Sequence, residues 1–356
     1  MIVIADLYLQ SGEQPGELAG GARALSGLEY AGRFGERERL AGSWRDWLAS
    51  WLGRGELAGV SVAAVAEAGA EGAGDSEGSA FASGGTGAAT RWIATPVELV
   101  AGLTRVHLER RGILRLAPEE QAALAGAFHA AFGGSGLALR PLSDGQFLAV
   151  TPGIAAVGST EPVRCAGGSP VVPQGPAAAP LLRLMAEIEM WLHGAALNQA
   201  RIARGAAPIT GLWLWGAAGR ALPSAPARRA AAADGGRQGA IAAFGSDAFV
   251  TGLLHLEGRA PQALPERLDG VFADPRIERA LVVAELAGEL PGETPWLLSA
   301  AAAALDRRLV RPALEALRDG SLRRLTLIAN DTRVALGRRS GMKRWRRPCA
   351  GLAAFA

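Results

Sequence analysis

The sequence predicts an α/β sheet carrying a smaller α+β insertion, and three observations predict it. Ile2-Val3-Ile4-Ala5, Ala240 to Phe244, Ala280 to Leu286 and Leu325 to Ala329 are short apolar runs, the pattern of strands buried on both faces. Amphipathic helical periods alternate with them along the chain. Residues 91–160 pack a helix and a hairpin into too little chain for part of a doubly wound sheet.

Each element follows from its residues. Asp6 comes just after the first run, and an acid there stands at the carboxyl edge, where open α/β sheets place their ligands. Leu40 to Leu52 carries Trp44, Trp47, Leu48, Trp51 and Leu52 at helical spacing. Residues 66–90 are Gly, Ala and Ser with almost no large side chain and read as a flexible connection. Within Trp92 to Val106, Thr95-Pro96-Val97-Glu98 reads as a helix start, with Thr95 as N-cap and Pro96 at the first helical position. Gly112 to Leu116 reads as a strand. Pro118-Glu119-Glu120 opens a helix to Phe132 that Gly133-Gly134 ends, and Leu137 to Leu142 with Gln146 to Val150 make a hairpin around Ser143-Asp144-Gly145.

Beyond a Pro/Gly-rich passage at 162–180, Leu181, Leu184, Ile188, Leu192 and Ala195 recur at spacings of three and four. They predict one helix from Ala179 to Ala203, stopped by Gly205. Ile209 to Trp215 is a strand and 217–238 is loop-like. A helix over 295–318 aligns Leu298, Ala301, Ala302, Leu305, Leu309 and Leu317 on one side. The expected organisation is therefore a core beginning at 1–65, a linker at 66–90, an α+β insert at 91–160 and the rest of the core at 161–356.

Composition removes several classes. At 356 residues and 49% hydrophobic, the chain has material for a sizeable core. Its two cysteines, Cys165 and Cys349, build neither a disulfide framework nor a four-thiolate zinc site. No run has the length of a membrane span and no basic-then-apolar leader follows Met1, so a cytoplasmic protein without a membrane span is expected. The net charge is +3, while residues 338–347 hold six positive charges and no negative one; 3 − 6 leaves the rest of the chain at −3. Lys343, Arg344, Trp345, Arg346 and Arg347 are candidates for contact with nucleic acid or an acidic partner. An arginine-faced edge strand or hairpin over 333–347 is the structural alternative.

The four histidines, His107, His129, His193 and His255, form no His-x-x-x-His pair. No phosphate-binding Gly-x-x-x-x-Gly-Lys-Ser/Thr or nucleophile-elbow motif occurs. The segment from Met190 to Arg201 is the exception. On a continuous helix His193 and Arg201 lie about 80° apart, with Asn198 about 60° beyond. The three are ligand-binding candidates at one helix edge beside the Trp213-Leu214-Trp215-Gly216 strand end. The alternative is that they bond loop carbonyls and fasten helix to sheet.

His193-x-x-x-x-Asn198-x-x-Arg201-x-x-x-Gly205, followed by Trp213-Leu214-Trp215-Gly216, resembles the archaeal-type cofactor-independent phosphoglycerate mutases. It is still more similar to their bacterial relatives, the RpfE-type regulatory proteins. The resemblance implies an alkaline-phosphatase-like, mostly parallel sheet flanked by helices, with a smaller inserted domain. In active members two divalent metals sit on Asp and His ligands and a serine passes the phosphoryl group. This chain departs from that pattern. Leu281-Val282-Val283-Ala284-Glu285 runs on without histidine, Asn330-Asp331-Thr332 stands where an Asp-His-Ser/Thr motif belongs, and Asp6 has no clear serine motif after it.

The resulting expectation is a mutase-like protein that has lost its dinuclear site, assigns no residue to catalysis, needs no cofactor, and binds a protein partner or a small phosphorylated ligand in a regulatory role. An active metal-dependent phosphotransferase, the alternative, would hold two Mn or Zn ions on Asp6 and Asp331 with Glu285 or His193. A nucleic-acid-binding protein using 338–347 is the third reading.

Overall fold

The computed structural model describes residues 1–8, 25–71, 89–224, 241–289, 298–342 and 355. Among them are eleven strands: β1 (Ile2–Ile4), β2 (Glu36–Arg39), β3 (Ala89–Ala101), β4 (Val106–Ile113), β5 (Ala138–Pro141), β6 (Phe147–Pro152), β7 (Gly211–Trp215), β8 (Ile241–Phe244), β9 (Arg279–Ala284), β10 (Arg324–Ala329) and β11 (Thr332–Gly337). The architecture is mixed α/β. Two units divide it: Met1–Ala58 with Pro226–Ser246 and Pro261–Ala356, and Gly59–Ala225 with Asp247–Ala260.

The first unit holds a six-stranded sheet in the order β2-β11-β10-β1-β9-β8. β10, β1, β9 and β8 run parallel, and the hairpin strand β11 and then β2 extend the sheet antiparallel. The wholly apolar β1 is buried along its length, as a strand covered on both faces must be. Helices Ser26–Phe34, Leu298–Leu305 and Arg311–Asp319 pack leucines and alanines onto Ile2, Ile4, Val282, Leu325, Leu327 and Val334. The single helix expected over 295–318 runs unbroken from Leu298 to Asp319, widened in its middle by a π-helical stretch, Asp306–Val310 (residues 295–297 lie outside the described set). The helix Trp44–Trp51 begins on a capping box between Ser43 and Asp46.

Sequence periodicity gave no sign of β2. Its Glu-Arg-Glu-Arg is exposed at every residue and so has no apolar face to detect, but charge of this kind suits an edge strand. Arg333 on β11 donates from Nε to Glu38 at 2.9 Å. With β2 outside it, β11 is the inner strand of a hairpin with β10, so of the edge strand or hairpin expected over 333–347 the hairpin is present and the edge is not, and 343–347 lie outside the described residues.

The second unit is built on an antiparallel sheet, β4-β3-β6-β5, with β7 paired to β3. The helix expected from Trp92 is instead β3. Trp92, Ile93, Thr95, Val97 and Val100 are strand formers, and Thr95 is fully buried in the sheet rather than capping anything. Pro96 is tolerated because the ladder on that edge is interrupted there: β6 pairs through Ala94, and β4 takes over at Val97. The strand expected over Gly112 to Leu116 lies earlier, as β4. The Pro118–Phe132 helix and the β5–β6 hairpin lie where the residues predict them, with Gly145 at φ +80° in the turn. Of the expected linker, residues 66–71 belong to the helix Val62–Glu71, and 72–88 lie outside the described residues.

That helix crosses Ala248–His255 with backbones in contact. A Cβ on Gly252 would lie 1.8 Å from the Val65 carbonyl oxygen. Gly252→Ala is therefore expected to cost about 2–3 kcal/mol by overpacking, read as a lower denaturant midpoint with an unchanged slope.

Candidate functional site

The Met190–Arg201 segment is not one helix. Ala179–His193 ends at Gly194, Ala195 is extended, and Ala196–Ala203 starts afresh, so the shared helix edge drawn for His193, Asn198 and Arg201 is not formed. Asn198 is 4% exposed and its side chain is turned inward. Its Nδ2 donates to Leu192 O at 2.7 Å and Ile209 O at 2.8 Å, while its Oδ1 accepts from Ile209 N at 2.8 Å. It thus caps the broken helix and holds the chain entering β7. Arg201 donates from Nε to Ala207 O at 2.7 Å and pairs with Glu120 at 2.6 Å; Arg204 binds the same carboxylate. His193 is exposed at the helix end. The structure brings Asn198 and Arg201 onto neighbouring loop carbonyls.

The other candidates stand at the carboxyl edge of the parallel strands in the first unit. Asp6 follows β1, Glu285 follows β9 and Asp331 follows β10, three adjacent strands in the order β10-β1-β9. Asp6 spends one carboxylate oxygen on Leu286 N at 2.6 Å and the other on Ala287 N at 2.8 Å. It ties the end of β1 to the turn after β9. Asn330 and Asp331 are the two central residues of a tight hairpin, with φ of 50° and 54° and Ala329 paired to Thr332 around them. Positive φ at both positions is the type I′ signature, which asparagine and aspartate tolerate best after glycine. Asn330 Nδ2 donates to Phe355 O at 2.8 Å, and Asp331 accepts from the Tyr8 hydroxyl at 3.3 Å.

Sequence reasoning missed Tyr8 and the Leu286-Ala287 amides. The turn had a legible signal: Asn-Asp between two apolar strands is hairpin chemistry. Lys343, Arg344, Trp345, Arg346 and Arg347 lie outside the described residues.

A pair of divalent metals on Asp and His ligands does not fit this edge. All four histidines of the chain fall in the second unit, so the first unit has none in its sequence. Among the described residues no group of three His, Cys, Asp or Glu is placed to hold a metal. Both Asp6 oxygens already accept backbone amides, and Asp331 is committed to its turn and to Tyr8. The arrangement joins strand ends to loops and offers carboxylate and phenol groups at a sheet edge. No helix of the described residues is long and apolar enough to cross a membrane.

No protein-family model matches this chain, and no curated protein does. Among solved structures it is similar to the cofactor-independent phosphoglycerate mutase from Thermoplasma acidophilum, with 17% identity over 94% of this chain and 89% of that one and a TM-score of 0.35. It is also similar to the PH0037 protein from Pyrococcus horikoshii, with 10% identity over 94% and 86% and a TM-score of 0.43.

Proposed function

We propose that this protein is a phosphoglycerate-mutase-like α/β protein of alkaline-phosphatase-like descent, related to the RpfE-type regulators. It has given up dinuclear metal chemistry and acts in the cytoplasm by binding a protein partner or a small phosphorylated ligand. The observation that carries this reading is the carboxyl edge itself. Three strand ends that would supply ligands present Asp6, Glu285 and Asp331 with no histidine in their unit, and two of these acids fasten loops. Phosphoryl transfer on two metals needs those carboxylates turned toward the ions.

Protein purified without chelator and dialysed against Mn²⁺ and then Zn²⁺ is expected to retain well under one equivalent of either. Two tightly held equivalents by elemental analysis, with turnover of a phosphoglycerate, would replace this reading with the active phosphotransferase.

A further inference from the structure

One end of the first unit gathers five exposed arginines. Arg318, Arg323, Arg324, Arg338 and Arg339 are exposed and make no ion pair among the described residues. Several other arginines of the unit find a carboxylate: Arg54 with Glu56, Arg276 with Asp274, Arg308 with Glu289, Arg311 with Asp306. Register gathers the five. Arg324 opposes Gly337 in the β10–β11 ladder, so Arg323-Arg324 and Arg338-Arg339 leave the same end of one hairpin. Arg318 ends the neighbouring helix, and a Cβ on the next residue but one, Gly320, would lie 3.1 Å from the Arg338 guanidinium carbon.

Aromatic rings stand among them. The Arg318 guanidinium lies 4.7 Å over the Tyr30 ring, Tyr30 meets Phe34 at 4.7 Å, and Arg33 lies 4.8 Å over Phe34. A guanidinium stacked on a ring, as Arg318 is on Tyr30, can turn its N–H edge to phosphate oxygens. Among the described residues the exposed large apolar side chains, by contrast, are Val100, Leu103, Val106, Val171, Val172, Met190 and Ile202, all in the second unit. Among the described residues the basic end therefore lacks the exposed apolar side chains with which surface-bound proteins enter a bilayer.

We propose that Arg318, Arg323, Arg324, Arg338 and Arg339 form a binding surface for the phosphate backbone of a nucleic acid, an activity beyond the reading given above and independent of it. Five exposed arginines against the nearby carboxylate of Asp319, which feels Arg338, leave a net positive surface that concentrates a polyanion, and each phosphate contact releases a counterion.

The test is fluorescence anisotropy of the full chain with labelled single-stranded and duplex DNA of about 20 nucleotides, from about 50 to 200 mM salt. Two double variants, R323Q/R324Q and R338Q/R339Q, are compared with wild type, each checked for an unchanged thermal midpoint. Wild type is expected to bind with a steep logarithmic salt dependence. On single strands each double variant should lower that slope by about 1.4, at about 0.7 per phosphate contact. The combined variant should lose about tenfold or more in affinity. Absence of binding overturns the proposal. So do salt slopes unchanged in both variants while deletion of 343–347 abolishes binding, and so does binding confined to phosphatidylserine vesicles.

Discussion

Asp306→Ala is expected to lower the unfolding free energy by about 3–4 kcal/mol, because it orphans two buried amides at roughly 1–3 kcal/mol each. Asp306 has no exposed surface. Its carboxylate accepts from Gly27 N at 3.1 Å, Leu28 N at 2.7 Å and Arg311 Nε at 2.8 Å. The first two are unsatisfied donors at the start of helix Ser26–Phe34, so an acid in a different helix caps this one across 278 residues of chain. The π-helical turn Asp306–Val310 carries the aspartate at its first position. The glycine follows from the same geometry, since a Cβ on Gly27 would lie 2.5 Å from Asp306 Oδ1. Arg311 is about a third exposed and can return to water, so its lost ion pair adds little.

Burial pushes the Asp306 carboxyl above its ordinary range, against the opposing pull of Arg311 and the two amides. The sign of the pH effect follows. A carboxyl raised on folding contributes stability that is complete below the unfolded value, about 3.9, and is lost as pH rises through the folded one. Asp306→Asn keeps the shape and one acceptor but cannot titrate. Its deficit relative to wild type is therefore expected to be largest near pH 3.5 and to shrink as pH rises. Urea titrations of both proteins at several pH values measure it, and a deficit that grows with pH would refute the assignment.

Much of the first unit's sheet was legible in the sequence because its strands are wholly apolar. Ile2-Val3-Ile4 and Leu325 to Ala329 have no other stable place than between two layers. The charged β2 was not legible, since an edge strand with no buried face leaves no hydrophobic period to read. Nor was β3. Thr95-Pro96-Val97-Glu98 is good local helix-start chemistry, and tertiary structure overrode it. The Thr95 hydroxyl bonds Gln146 and accepts from Trp215 Nε1 at 2.9 Å, contacts 51 and 120 residues away that no local window contains. The candidate site divides in the same way. That Asp6, Glu285 and Asp331 follow strands is legible from the apolar runs, whereas the adjacency of those strands and the commitment of Asp6 to amides and Asp331 to a tyrosine hydroxyl depend on topology and loop paths that spacing does not encode. Asn330-Asp331 shows the hazard most clearly: aligned with a metal-binding motif it reads as a degenerate ligand pair, and in the fold it is a two-residue turn.

Asn198→Ala is expected to cost about 2–3 kcal/mol of stability, and the size of that loss separates the two readings of the His193–Arg201 segment. A side chain that served a ligand would be removable at little cost to the free protein. Here truncation strands Ile209 O and Ile209 N in a buried corner, two groups at roughly 1 kcal/mol or more each, while Leu192 O keeps the Ala195 amide at 3.1 Å. Asn198→Asp should fare no better at neutral pH, because its carboxylate would face the two carbonyls that Nδ2 now serves. Arg201→Ala should cost less, about 2 kcal/mol, since Glu120 keeps Arg204 and only Ala207 O loses its donor outright. His193→Ala, on an exposed helix end, should fall within about 0.5 kcal/mol of wild type. Denaturant titration of the three variants checks the order Asn198, Arg201, His193. A stable Asn198→Ala protein would return the segment to the ligand reading, because only a side chain without structural duties can be dispensed with so cheaply.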